Sequence, residues 1–442
     1  IRMRNESDYI LVEGDFLYQP QCANRLSAGT LELKGNVDIL SGFHATDTHR
    51  TLLSGDKKQT ITMADGLYFN ILELQNHSDD GIYSEKALQK SRLIRNGCKL
   101  TYGNIEGNYG YTLEKDEAIE GDFVLIDDTL DLNGYTLTIN GDLIQPGGEI
   151  FINGGKLVIE GNYRQQGRKK DEEKRGYSYE AGTGLLHMEK EADYVLVKGS
   201  MYVQTTAGTA GKLTAGTLEV KGDFIQKKTS NLENFNPSGG HTLLLTGQGK
   251  QTVSFEHSAV GNSHIENLEI DNSGTEGVEF AGLPYVSGNI KNQKEQKVSG
   301  KIGIGSNTVF QNGYFGGSIC TLQQVSVKEG EEIEIGGNME SNLLLSIYGR
   351  LTVRGIAMEG GSLKVGKNLT VGGGGYSNGV RMNHETDHIL VEGDFLYQPQ
   401  YVNQLSAGIL ELKGNADIRS GFHAAGTHRT LLSGNKKQTI TM

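Results

Sequence analysis

Short runs in which every second residue is apolar recur along the chain, and most stop at a glycine followed by Asp or Asn and a further apolar residue. Instances are Ile10, Val12, Gly14, Asp15, Phe16; Leu31, Leu33, Gly35, Asn36; Leu137, Ile139, Gly141, Asp142, Leu143; Leu157, Ile159, Gly161, Asn162, Tyr163; and Leu218, Val220, Gly222, Asp223, Phe224. Alternation with period two puts the apolar side chains on one face of a strand and sends the residues between them, such as Glu32 and Lys34 or Thr138 and Asn140, to water. Glycine then admits a bend that a Cβ would obstruct, and Asp or Asn bonds the turn backbone. The next apolar residue opens another wall. The glycines at 121, 141 and 161 are 20 residues apart and those at 14 and 35 are 21 apart, the length of one β-helix turn. The pattern predicts an all-β fold, an elongated parallel β-helix (β-solenoid) with coils of about 20 residues.

A longer repeat overlies the short one. Residues 1–63 return as 380–442 at an offset of 379, with 49 of 63 positions identical. A weaker copy lies between them: Met188 to Gly199 answers Met3 to Gly14, Gly216 to Gly222 answers Gly29 to Gly35, and His241 to Phe255 answers His49 to Met63. Gly154 to Asn162 is likewise answered by Gly360 to Asn368. These matches place modules at 1–185 and 186–379, with the start of a third at 380–442. Gly167-Arg168-Lys169-Lys170-Asp171-Glu172-Glu173-Lys174-Arg175-Gly176 has no apolar member and reads as a solvated loop between modules. The matching junction, Gly372 to Gly379, is short and uncharged.

Composition narrows the chemistry. The chain has 442 residues, with 62 glycines, 5 prolines and no tryptophan, as expected of many short strands joined by glycine and asparagine turns. A formal charge of −12 argues against nucleic acid or anionic lipid as a partner, since both require a positive field. Cys22, Cys98 and Cys320 are far apart and form no CxxC or Cys/His metal pattern, and Cys22 is replaced by Tyr401 in the second copy. No apolar run is long enough to insert in a membrane. Ile1 opens the chain inside a repeat with no signal segment, so the expectation is a piece of a longer chain, whose neighbouring repeat modules are its first partners.

The series Gly216 to Phe224, then Thr246 to Val253, then Asn267 to Ser273 resembles the β-helical repeat regions of large bacterial secreted and surface exoproteins, the filamentous-haemagglutinin-like adhesins. The likeness covers most of the chain but consists of periodic patterns, so it speaks to architecture. It implies a right-handed solenoid with three walls, located outside the cell as a secreted or cell-surface stalk that holds an adhesive or toxic tip. It carries over no catalytic residue.

Several constellations could carry chemistry. Asp15, Asp122, Asp142, Asp223 and Asp394 recur at one coil position, where an acidic ladder could hold Ca²⁺ or serve a pectate-lyase-like site. Asn36, Asn162, Asn338 and Asn415 take the same position in other coils, and no Arg or Lys recurs beside it, which favours turn formation. His49, His241 and His428 precede equivalent strands, followed by Arg50, Thr242 and Arg429; their repetition in every module favours a structural role over catalysis. Gly55-Asp56-Lys57-Lys58-Gln59-Thr60 and Gly247-Gln248-Gly249-Lys250-Gln251-Thr252 lack the spacing of a phosphate loop and a following helix, and read as tight corners. Thr136 and Thr138 form one Thr-x-Thr rung, but Lys156 and Val158 follow, so no ice-binding ladder continues. Tyr18 and Tyr397 repeat with the module, as core or corner residues. No catalytic, cofactor-binding or metal residue is assigned, and no cofactor. The leading function is a structural stalk or rod segment of an extracellular bacterial repeat protein, adhesive toward a host surface or glycan. The alternatives are a glycan-binding or glycan-cleaving β-helix, and a filament subunit that self-associates end to end through its exposed strand edges.

Overall fold

The computed structural model describes residues 1–442 except 21–24, 65, 86–87, 89, 95–97, 99, 103–110, 126–128, 172–175, 323–324, 342–353, 373–376 and 400–403. Among the described residues there are only strands and turns, and the chain is a parallel β-solenoid. It forms two compact units: Ile1–Leu218 with Thr229–Asn234, and Glu219–Lys228 with Phe235–Met442. The boundary falls inside the second sequence module, so the unit of repetition is not the unit of packing.

In the first unit, one coil consists of Thr129–Asp131, Thr136–Asn140 and Leu143–Ile144. Each strand pairs in parallel with the strand one coil on, Thr129 with Glu149, Thr136 with Lys156 and Leu143 with Tyr163, each 20 residues away. Three walls therefore share one period. In the second unit, Glu332–Ile335, Ser362–Val365, His388–Val391, Ile409–Leu412 and Arg429–Leu432 make up much of one wall. Its successive offsets are 30, 26, 21 and 20 residues, from Glu332 to Ser362 to His388 and from His388 to Ile409 to Arg429. Parallel pairing is therefore kept along the wall while the number of residues per coil varies.

Period two is realised as burial. Leu137, Ile139, Leu157 and Ile159 are buried, while Thr136, Thr138 and Val158 are partly exposed. Thr138 faces Ala118 on one side and Val158 on the other, so the threonine rung stands alone in its column. Tyr18 and Tyr397 are core residues: Tyr18 meets Phe43 edge-on at 5.6 Å between centroids, and Tyr397 meets Phe422 the same way at 5.4 Å. Phe43 continues that stack to Phe69 at 5.4 Å.

Gly121 has a φ of 81°, which suits the turn reading, but Gly35 and Gly141 have a different cause. A Cβ on Gly141 would lie 2.4 Å from the carbonyl carbon of Gly121, and one on Gly35 would lie 2.4 Å from that of Gly14. Neither Gly35 nor Gly141 has positive φ. The constraint there is the close stacking of one corner on the next.

The charged segment 167–176 departs from expectation. Instead of a solvated loop, Tyr163–Asp171 and Gly176–Ala181 pair antiparallel, with Gln166 opposite Ala181 and Asp171 opposite Gly176. Residues 172–175 lie outside the described residues. At the base the Arg164 guanidinium is within reach of two rings, 4.3 Å from Tyr179 and 3.9 Å from Tyr202, which anchors the hairpin to the wall. The insertion raises the offset from Lys156 to Tyr194 to 38. Cys22 and residues 373–376 of the uncharged junction 372–379 also lie outside the described residues; Cys98 and Cys320 are buried thiols.

Leu157→Ala should cost about 2–5 kcal/mol because the coils on either side fix the size of the hole. Val158→Thr, one residue along on the outer face, should stay within about 0.5 kcal/mol; urea denaturation of both variants checks the in-and-out assignment.

Candidate functional site

The Asp and Asn residues after the motif glycine stack at one corner, and each side-chain oxygen accepts a backbone N–H from the next coil. In the first unit Asn36 donates to Asp15 at 2.7 Å and Thr60 to Asn36 at 2.9 Å. Farther on, Asp142 donates to Asp122 at 2.8 Å, Asn162 to Asp142 at 2.7 Å and Ser200 to Asn162 at 2.9 Å. In the second unit Thr252 donates to Asp223 at 2.7 Å. A longer run follows, in which Asn338 donates to Ser318, Asn368 to Asn338, Asp394 to Asn368, Asn415 to Asp394 and Thr439 to Asn415, at 2.8–3.2 Å. Turn chemistry is thus the use of these positions, but the turn that each side chain secures is the one above it. Asp, Asn and Ser all serve because an acceptor is all the position needs. Among the described residues no three His, Cys, Asp or Glu side chains are grouped so as to hold a metal ion.

The Gly-x-x-Lys-Gln-Thr segments contain a residue that sequence reasoning overlooked. Gln59 is buried; its Nε2 donates to the Leu33 and Gly35 carbonyls at 3.0 and 2.9 Å, and its Oε1 accepts from Gly55 N at 2.9 Å. Gln251 does the same with Val220, Gly222 and Gly247, and Gln438 with Leu412, Gly414 and Gly434. One amide thereby satisfies three backbone groups at a corner where the ladder is interrupted. Asn76 and Asn272 add a bond to Gln59 and Gln251 from the following coil, at 2.9 and 3.1 Å. The recurrence of Gln at one place in three modules was the available signal.

A second overlooked position is the Asp that opens each module. Asp8 accepts the N–H groups of Arg4 and Asn5, and these bonds, Asn5 first, hold its carboxyl below the usual range. Asp193 accepts those of Glu189, Lys190 and Gly154, and Asp387 those of Asn383, His384 and Gly360. These carboxylates are structural clasps.

The repeated histidines point inward. His49 Nδ1 lies 3.1 Å from the Ala28 carbonyl and His428 Nδ1 3.0 Å from that of Ala407. His241 is buried edge-on to Phe235, and its Nε2 has no hydrogen-bond partner among the described residues. Burial pushes its pKa down to about 4, against the opposing field of Glu266. An imidazole so placed stays neutral and touches no reachable substrate.

Outside, charges pair between coils: Lys198 with Glu160 at 2.6 Å, Lys413 with Glu392 at 3.0 Å and Arg381 with Glu359 at 3.1 Å. A shallow hollow of about 470 Å³ in the second unit is lined by Lys294, Asn312, Glu334, Lys364 and His388. Glu334 accepts from Lys294 at 2.5 Å and Lys364 at 2.9 Å, and these bonds, Lys294 first, hold its carboxyl below the usual range. A carboxylate so held is a poor general acid. No protein-family model, curated protein or solved structure matches this chain.

Gln251→Ala should lower stability by about 2–4 kcal/mol, because two carbonyls and one N–H lose their buried partner; chemical denaturation reads the loss. For His241, the folded-state pKa of about 4 lies below the ordinary histidine value of 6.5. Stability tied to this group is complete above pH 6.5 and falls as the pH drops toward 4, by about 3 kcal/mol in all. Between pH 6.5 and 4 the unfolding free energy of the native chain should fall by this amount relative to that of His241→Leu, as read by chemical denaturation.

Proposed function

We propose that the chain is a structural spacer, a stalk segment of an extracellular bacterial repeat protein that presents an adhesive or toxic tip. The observation that carries this reading is the engagement of the recurrent polar side chains between coils: the Asp and Asn ladder, the Gln amides and the module-opening Asp residues all bind backbone. The needs of the corner backbone thus account for the recurrence of these side chains. The resemblance of Gly216 to Phe224 and its companion segments to filamentous-haemagglutinin-like repeats supports the same reading and a location at the cell surface. Neighbouring repeat modules of the same chain are the partners that this role requires, and a host surface or glycan is the target of the tip.

A bead assay tests the role. The chain is fused between a bead anchor and a small binding module and compared with a ten-residue Gly/Ser linker, using ligand set back from a second surface. The chain should support capture where the short linker does not, and equal capture would count against a spacer. Release of sugar from any polysaccharide in a panel, abolished by Asp142→Ala, would replace this reading with the glycan-cleaving one.

A further inference from the structure

Arg164 stands apart from the cations that pair between coils. Lys198 reaches Glu160 and Arg381 reaches Glu359, whereas among the described residues no carboxylate meets Arg164. Its guanidinium is packed between rings instead, 4.3 Å from Tyr179 and 3.9 Å from Tyr202. Nη1 donates to Gln166 Oε1 at 3.2 Å, Nε is buried with no partner, and Nη2 makes no hydrogen bond among the described residues. Aromatic faces attract the charge but accept nothing from the N–H edge, so a half-buried cation is left with unmet donors.

The surroundings hold that edge in place. Gln166 is buried, and its Nε2 donates to Gln204 Oε1 at 2.8 Å, so a pair of amides fixes the side of the guanidinium that Nη1 occupies. Arg168, four residues along the same strand, shares the face and stands opposite Tyr179, which is 36 % exposed. At Arg164 the strand has parallel neighbours on both sides, Ile144 and Tyr202, so no peptide can join it as a further strand. A ligand has to approach from above the face. All of these residues belong to the first unit. Unlike the corner Asp and Asn residues, the arrangement is not repeated: Asn368, Leu369 and Thr370 answer Asn162, Tyr163 and Arg164, and the uncharged junction 372–379 answers the hairpin.

We propose that the outward face at Arg164, Tyr179 and Tyr202 is a binding site for an acidic saccharide, with a uronic acid unit as its ligand. The carboxylate of that unit accepts from the Arg164 edge at Nη2, a planar group meeting a planar group. The C–H face of the sugar ring lies against a tyrosine, whose hydroxyl serves the sugar hydroxyls. Arg168 attracts the carboxylate of an adjoining unit. The site lies on the shaft of the chain and not at its tip, and it stands whether or not the spacer role does.

The probe is a galacturonic acid trimer, titrated into the full chain by isothermal calorimetry beside its methyl ester, which keeps the shape and removes the charge. Saturable binding of the acid with a Kd below about 1 mM is expected, and binding of the ester at least about tenfold weaker. Arg164→Lys keeps a cation between the rings and loses the planar fork, so it should weaken the acid at least about tenfold with the far-ultraviolet strand signal unchanged. If that variant fails to fold, the comparison of acid with ester on the native chain decides alone. No saturation up to about 10 mM trimer would overturn the proposal, as would an ester that binds as well as the acid. A tetraglutamate peptide that binds as tightly as the trimer would overturn the assignment to a saccharide. A bead assay that fails while the trimer binds would count against the spacer role only.

Discussion

In a parallel solenoid the N–H and C=O groups of a wall find partners only in the coils on either side, so each turn of backbone is completed by its neighbours. The other recurrent features follow from carrying that requirement around the corners, where the strands end and the ladder of backbone bonds would break. Asp15, Asp142, Asn162, Asn338 and Asp394 continue it with side-chain oxygens. Gln59, Gln251 and Gln438 continue it with side-chain amides. The motif glycines let two corners approach closely enough for these short side chains to reach.

The walls were legible because a period of two has one geometric meaning: Leu137 and Ile139 could not both be buried on a helix face that also sent Thr138 outward. The corners were legible in composition but not in connection. Asp142 stands at a recognisable turn position, yet its partner is a backbone N–H 20 residues away, and a backbone group leaves no trace in the sequence. The hairpin was obscured for a related reason. Its strands are held by backbone pairing and by Arg164 between two tyrosines, so the charged run from Arg168 to Arg175 shows no apolar alternation. Gln251 was overlooked because a polar side chain beside Lys250 suggests an outward position, whereas its amide is buried among carbonyls.

The same economy of bonding bears on chemistry. A reactive site needs ionisable groups that converge and keep unsatisfied valence toward a ligand. Here Asp193 and Asp387 each receive three backbone N–H groups, and Glu334 receives two ammonium groups. The buried His241 faces an aromatic ring. Asp193 and Asp387 hold equivalent places in separate coils.

The corner ladder does not discriminate among its members. An Asp accepts from an Asn, an Asn from an Asp and a Ser from an Asn, always through the main-chain N–H that every residue but proline possesses. At this corner a coil therefore does not depend on which coil sits above it. A gene encoding such a chain can gain or lose whole coils by unequal recombination between near-identical stretches, such as 1–63 and 380–442, and still specify a closed set of bonds. Length becomes a heritable variable that selection can adjust without redesigning the corner ladder.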